Sequence, residues 1–315
     1  DYVSLAVVLE EIAAGDGGTS TVISVTNCPV NAILMKHGNA AQQAEWLTPL
    51  ARGDMLGAFC LTEPHVGSDA SGLRTTAVRD GDHYVLNGVK QFITSGQNGD
   101  VAIVIAVTDK AAGKRGMSAF LVPTSTPGYA VARLEDKLGQ HSSDTAQIVL
   151  TDCRIPETYR LGEEGDGYRI ALGGLEGGRI GIAAQSIGMA RSALECAIQY
   201  AKDRTSFGQP IMNHQAVGFK LADMATQLEA ARALTLHAAA MRDAGVPCLK
   251  EAAMAKLFAS EMAEQVCSQA IQVHGGYGYL ADFPVERIYR DVRVCQIYEG
   301  TSDVQKILIQ RALAA

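Results

Sequence analysis

One stretch near the C-terminal end, Ile297-Tyr298-Glu299-Gly300-Thr301-Ser302-Asp303-Val304-Gln305, sets a carboxylate beside a glycine just ahead of a helix. Ser302 to Gln305 fits the S-x-x-Q capping pattern, and Val304, Ile307 and Leu308 give the helix that follows its apolar face. The start of a helix leaves amide hydrogens unpaired, and Gly300 lets a ligand come close to the backbone. Two readings stand. Glu299 is a base acting on a bound ligand, or it is a surface carboxylate that favours the helix dipole; spacing alone weighs toward the second.

Four further stretches carry chemistry-bearing side chains. Phe59-Cys60-Leu61-Thr62-Glu63-Pro64-His65-Val66-Gly67-Ser68-Asp69 runs from strand-like text into a turn rich in hydroxyl and carboxyl groups, equally suited to a structural turn and to a site. Residues 88–96 (Gly-Val-Lys-Gln-Phe-Ile-Thr-Ser-Gly) read as a strand ending in a polar loop, with Phe92 beside Ile93 more typical of a core than of a cofactor wall. Arg204-Thr205-Ser206-Phe207-Gly208 either ends a helix or binds an anion with an aromatic plane beside it. Gln272-Val273-His274-Gly275-Gly276 reads first as a glycine C-cap, although paired glycines also admit a phosphate. His274 has no partner at metal-like spacing, so it is expected packed or hydrogen-bonded. No G-x-G-x-x-G after a strand, P-loop, G-x-S-x-G or H-E-x-x-H is present, so any dinucleotide is bound without a Rossmann fingerprint.

The elements that must position these residues are of two kinds. Before about residue 52 the text is helical, broken at residues 15–18 and resumed after Asn39 as N-cap. From about residue 54 to 161 short β-rich runs alternate with Asp80-Gly81-Asp82, Asn87-Gly88, Asn98-Gly99 and Pro127-Gly128, which predicts a compact antiparallel β-domain. Helical periodicity then returns: Val217, Leu221, Met224, Leu228 and Ala231 form one stripe, and Met262/Ala263, Val266/Cys267 and Ala270/Ile271 form another. The expected divisions are residues 1–54, 55–162 and 163–315.

Composition narrows the class. The 315 residues carry 27 basic and 34 acidic side chains, a formal charge of -7, which implies no general attraction to nucleic acid or anionic lipid. Hydrophobic residues make up 47% and no uninterrupted apolar run is long enough to span a bilayer, so a globular protein without membrane insertion is expected. The seven cysteines are odd in number and lack a C-x-x-C pair, arguing against a disulfide framework or zinc site and for a reducing, cytoplasmic setting. Asp1 stands where a Met would open a chain, and helical text begins at once, so the numbered chain is expected to begin inside a domain.

Taken in order, C-L-T-E-P-x-x-G-S-D, F-I-T, R-T-x-F-G, H-Q, Q-x-x-G-G and Y-E-G-T-S make the chain resemble the acyl-CoA dehydrogenases from near Met55 to its end. The resemblance implies an α+β multidomain subunit: an incomplete N-terminal helical domain, a middle antiparallel β-barrel and a C-terminal four-helix bundle. It also implies a homotetramer built as a dimer of dimers and an FAD cofactor. Carried onto this chain, it has Phe59, Leu61, Thr62, Phe92, Ile93 and Thr94 lining the flavin. The same resemblance implies that Ser68 lies near FAD and thioester. Arg204, Phe207, His214 and Gln215 reach the FAD of a neighbouring subunit, and Gln272, Gly275 and Gly276 cradle its pyrophosphate. Thr301 and Asp303 complete the cofactor contacts, while Glu176, Arg179 and Gly300 line the acyl-CoA substrate. Some members place the catalytic Glu immediately before that Arg; Gly178 stands there here, leaving Glu299 as the matching base.

The implied reaction removes a Cα proton with Glu299 and a Cβ hydride with flavin N5, giving a trans-2-enoyl-CoA, and passes electrons to an electron-transfer flavoprotein. The run Glu176-Gly177-Gly178-Arg179-Ile180-Gly181-Ile182 looks most like short-chain members, which implies short straight or branched acyl groups. His65 and His141 stand where Gly and Arg are common in the family, touching loop shape and local charge without removing a catalytic group. A same-fold oxidase that reduces oxygen is the alternative within the enzyme class. A non-catalytic flavin-containing nucleic-acid-binding protein is the alternative outside it, disfavoured by the charge of -7.

Overall fold

The structure, a computed structural model, describes residues 1–314. The chain divides into two compact units: one holds Asp1–Thr21, Lys137–Ser142 and the residues from Arg179 onward, the other Val22–Asp136 and Ser143–Gly178.

Helix α1 (Tyr2–Gly15) starts on Asp1, whose carboxylate accepts from Ser4 N at 2.7 Å, and stops at Asp16, where the backbone becomes extended. The expected break therefore falls inside residues 15–18. Helix α2 (Gly17–Val25) leads into a wide turn at Thr26–Asn31, then α3 (Ala32–His37), α4 (Ala40–Gln42), a second wide turn at Gln43–Leu47, and α5 (Thr48–Arg52). Pro29 lies in the first wide turn, where its missing N–H and ring bulk disfavour regular helical pairing. Asn39 is an N-cap as expected, in a reciprocal capping box with Gln42.

Strands β1 (Gly57–Cys60), β2 (Thr76–Asp80), β3 (His83–Thr94), β4 (Val101–Val107), β5 (Met117–Pro123), β6 (Tyr129–Leu134), β7 (Thr145–Pro156) and β8 (Arg160–Leu161) form one sheet in the order β6-β7-β3-β2-β4-β5-β8. Two features depart from the expected antiparallel barrel. The strand path ends at β6 and β8 without joining, and β1 and β2 both pair with β4 in parallel. Strand β1 is delivered by helix α5 rather than by a hairpin, so nothing forces it to oppose its neighbour.

Strand β4 explains the layering of this unit. Its alternate residues Val101, Ile103 and Ile105 enter a core with Val30, Ile33, Leu34, Leu50 and Ile170, whereas Ala102, Val104 and Ala106 enter another with Tyr84, Leu86, Phe120 and Ile148. A strand covered on both faces needs a continuous apolar run, which Val101 to Val107 supplies. Each fully buried Ile or Leu contributes roughly 1.5–3 kcal/mol.

Asp80-Gly81-Asp82 makes the β2–β3 turn, but Asn87-Gly88 lies inside β3 instead of between strands. There the register with β7 shifts, and a Cβ on Gly88 would sit 2.4 Å from Thr75 Oγ1. The glycine serves a close approach at a bulge, a need that a two-residue sequence signal cannot distinguish from a turn.

Helices α6 (Gly167–Asp203), α7 (Gln215–Asp243), α8 (Leu249–His274), α9 (Val285–Val292) and α10 (Ser302–Ala314) follow, with a short hairpin of β9 (Thr205–Ser206) and β10 (Gln209–Pro210) between α6 and α7. Leu221, Met224, Leu228 and Ala231 are buried on α7, as are Met262, Ala263, Val266, Cys267 and Ala270 on α8. Helix α1 packs with these: a Cβ on Gly188 of α6 would lie 2.1 Å from the Glu10 carbonyl oxygen. Buried Glu10 accepts from Arg232 Nε at 2.9 Å. Among the described residues no helix is long and apolar enough to cross a membrane.

Candidate active site

Helix α10 begins one residue earlier than the S-x-x-Q pattern suggests. Thr301 Oγ1 accepts from Val304 N at 3.3 Å and so acts as the cap, which displaces Ser302 into the first turn. Gln305 is thereby released from a capping box. Its Nε2 instead donates to the carbonyls of Gly300 (2.8 Å) and Glu299 (3.3 Å), fastening the turn that precedes the helix.

That turn is left-handed at two successive residues, with φ of 53° at Glu299 and 88° at Gly300. The conformation suits glycine but costs about 1–3 kcal/mol at Glu299, so the surroundings must hold it. On one side Lys256, fully buried on α8, donates from Nζ to Gly300 O at 2.8 Å. On the other, the Tyr298 hydroxyl donates to Gln185 Oε1 at 2.7 Å, and Thr21 donates to Gln140 Oε1 at 2.7 Å in the same cluster. Gln140 and Thr21 come from distant parts of the sequence, yet both belong to the helical unit.

Glu299 as a whole is half-buried, but its Oε2 is sealed from solvent and has no hydrogen-bond partner. Burial pushes its carboxyl up to about 7, against the opposing charges of Arg179 and Lys256. Arg179, 5% exposed on α6, thus supplies a cation acting on Glu299; the resemblance assigns it to the substrate. Glu176 lies three residues earlier on the same helix, in the stretch counted with the other unit, and is half-buried. These facts favour the base reading over the surface-carboxylate reading, because a dipole-stabilising carboxylate would be solvated. Lys256 was not singled out from the sequence. Its signal is a lysine at helical spacing within the alanine stripe Ala252, Ala253, Ala259 and Ala263.

In the β-rich unit the two dense stretches are stitched together. Gln91 N donates to Thr62 O at 2.9 Å, while buried Lys90 donates to Leu61 O at 3.1 Å and to Glu63 Oε1 at 2.9 Å. Glu63 also accepts from Arg74 N and Thr75 N, at 2.8 and 3.0 Å, closing the loop that carries Ser68. Phe92 is 64% exposed with φ of 59°, at a register shift between β3 and β7. The core reading of this aromatic is therefore wrong: the bulge reverses its direction and turns the ring outward. Ile93 does enter the core; Leu61 is likewise buried, Phe59 and Thr62 are half-buried, Thr94 is half-buried and Ser68 is exposed.

A separate cleft of about 540 Å³ in the helical unit is lined by Tyr200, Arg204, Ser206, His274, Gly275 and Gly276, among others. Gly275 has φ of 61°, and a Cβ at either glycine would meet nothing within 4 Å, so open space lies over a bare backbone. Arg204 sits 5.7 Å above the Tyr277 ring. This is a cationic, backbone-lined cleft of the kind that accepts a phosphate. His274 is packed as expected, donating from Nδ1 to Ala270 O at 2.8 Å and stacked on Tyr200 at 4.3 Å, with burial holding its pKa below the ordinary value. Phe207, 96% exposed with φ of 50°, packs edge-on against His214, which donates to Ser206 O at 3.1 Å. Gln215, Gln272 and Asp303 are exposed and Thr301 is half-buried. Arg204, Gly275 and Gly276 are thus brought to one cleft, and Phe207 to His214; Gln215, Gln272 and Asp303 do not line it.

The chain matches the acyl-CoA dehydrogenase N-terminal domain over residues 1–54, the middle domain over residues 58–153 and the C-terminal domain over residues 165–314. It is 48% identical over 309 residues to the human mitochondrial short-chain specific acyl-CoA dehydrogenase, covering 98% of this chain and 75% of that protein. The solved butyryl-CoA dehydrogenase of Megasphaera elsdenii superposes with a TM-score of 0.99 at 44% identity, covering 100% of this chain and 82% of that one. A glutaryl-CoA dehydrogenase of Mycobacterium smegmatis, solved in complex with FADH2, gives 0.94 at 34% identity over 99% of this chain and 80% of that one. Ordered motifs, three matching family domains and similarity over nearly all of its residues agree that the chain belongs to the acyl-CoA dehydrogenase family of FAD-dependent oxidoreductases.

Proposed function

We propose that the protein dehydrogenates short-chain acyl-CoA thioesters to trans-2-enoyl-CoA, with Glu299 as the base. The observation that carries the reading is the carboxyl itself: sealed at Oε2, unpartnered, and pushed to about 7, it is poised to exchange a proton near neutral pH. FAD, when bound, supplies the acceptor for the hydride that leaves Cβ. Glu299 takes the proton from Cα, and Arg179 and Lys256 keep its ionised form available. The Glu299 N–H donates to no acceptor among the described residues, so it is free to bind the thioester oxygen as enolate character develops. Arg204 with Gly275 and Gly276 suits the pyrophosphate of the cofactor, and outward-facing Phe92 suits a flat ring system.

The same reading extends to a homotetramer, to electron delivery to an electron-transfer flavoprotein, to a barrel-like middle domain, and to domain limits at residues 54/55 and 162/163. All seven cysteines are free, which accords with a reducing cytoplasmic setting. Anaerobic bleaching of the flavin by straight and branched acyl-CoA esters of increasing length tests the reading. Wild-type protein is expected to bleach fastest with short chains, and Glu299→Gln to bleach about 10²–10⁴-fold more slowly. Equal bleaching by the variant would remove Glu299 from the role.

A further inference from the structure

We infer that Lys256 is a positioning residue for the base: its buried ammonium, anchored on the Gly300 carbonyl, adds to Arg179 a second positive charge that helps keep the neighbouring Glu299 carboxylate ionised. The inference rests on the proposed role of Glu299. Taking an ammonium fully out of water is costly, and an alanine-lined helix face gives no packing reason for a lysine there. Lys256 has one hydrogen-bond acceptor among the described residues, Gly300 O at 2.8 Å. That same oxygen already accepts from Gln305 Nε2 at 2.8 Å, so the hydrogen bond alone gives no reason for a buried ammonium, and what Lys256 adds is a charge that acts with Arg179 on Glu299.

The groups whose charges act on Lys256 are Cys295, Glu299, Arg179 and Glu261; those acting on Glu299 are Arg179 and Lys256. Burial alone would drive the carboxyl to its neutral form, in which it cannot accept a proton. Two cations oppose that drift, and Lys256 also touches the turn carrying the base. Burial brings Lys256 itself down to about 8, so its charge is present through the neutral range and fades above it.

The test is the pH profile of anaerobic flavin reduction, as kcat/KM, for wild type, Lys256→Gln, Lys256→Met and Lys256→Arg, with Glu299→Gln alongside. Gln retains a donor for Gly300 O without charge, Met lacks both, and Arg retains charge. In the two neutral variants the acidic limb should move up by about one pH unit, a loss of about tenfold at pH 6 that closes above pH 9, while Arg keeps the wild-type limb. Should the Met variant fail to fold, the Gln variant carries the comparison. A Gln variant whose profile superposes on wild type, or is lowered equally at every pH, overturns the inference. If Glu299→Gln reduces flavin normally, the base assignment itself has failed; if it is inactive and only the Lys256 profiles are unshifted, the failure is confined to Lys256.

Discussion

Replacing Glu299 by Gln should change stability in a pH-dependent way that exposes the cost of keeping its carboxyl buried. The carboxyl ordinarily titrates near 4.5 and is pushed to about 7 in the folded chain, so the folded state holds its proton more tightly than the unfolded one. A raised carboxyl leaves the protein fully stable below about 4.5 and progressively less stable as pH climbs to 7. At about 1.4 kcal/mol per pH unit the full difference amounts to about 3 kcal/mol, of which about 2 kcal/mol falls between pH 5 and 7.5. Lys256, brought down to about 8, stays mostly charged in that window and does not obscure the trend. Gln carries its own cost at the site, but one independent of pH. Thermal or denaturant unfolding of flavin-free protein should therefore show Glu299→Gln gaining on wild type by about 2 kcal/mol from pH 5 to 7.5. Parallel pH curves for the two proteins would refute the claim that burial governs this carboxyl.

Two further substitutions probe the buried ion pair of the β-rich unit and the cleft at Gly275 and Gly276. Lys90→Met takes the buried ammonium from Glu63, whose side chain is 2% exposed, leaving the carboxylate to the Arg74 and Thr75 amides and partly exposed His65, and should cost about 3 kcal/mol in denaturant unfolding; adding Glu63→Gln should restore part of it, and a harmless single variant would refute the pairing argument. Gly276→Val places a side chain into space empty within 4 Å, so far-UV spectrum and melting of the flavin-free protein should hold while flavin retention on gel filtration falls by about tenfold or more; undiminished retention would remove the cleft from cofactor binding.

Periodic features were legible because burial on one helix face is written directly in spacing. Leu221, Met224 and Leu228 are buried as that spacing demands, and Asn39 caps because its side chain and Gln42 satisfy each other locally. Two misreadings share a different cause: each depended on a non-local neighbour. Gly88 is a glycine because Thr75 crosses it, not because the chain turns there. Phe92 points outward because β3 bulges against β7. The cap of α10 was misplaced by one residue for a local reason: Thr301 and Ser302 both carry a hydroxyl, and it is Thr301 that accepts from Val304 N. At the site, spacing alone left Glu299 between base and surface carboxylate. The family motifs singled it out, but only burial and the cations beside it supply a physical reason.

Helix α1 has a consequence for biosynthesis. Glu10 pairs with Arg232, 222 residues later in the chain. At typical translation speeds the partner leaves the ribosome on the order of 10–40 s after α1 does. Through that interval Leu9, Ala6 and Ala13, destined for the interior, have nothing to pack on from α7. Helix α1 must wait, unprotected or chaperoned, and slow synthesis lengthens its exposure.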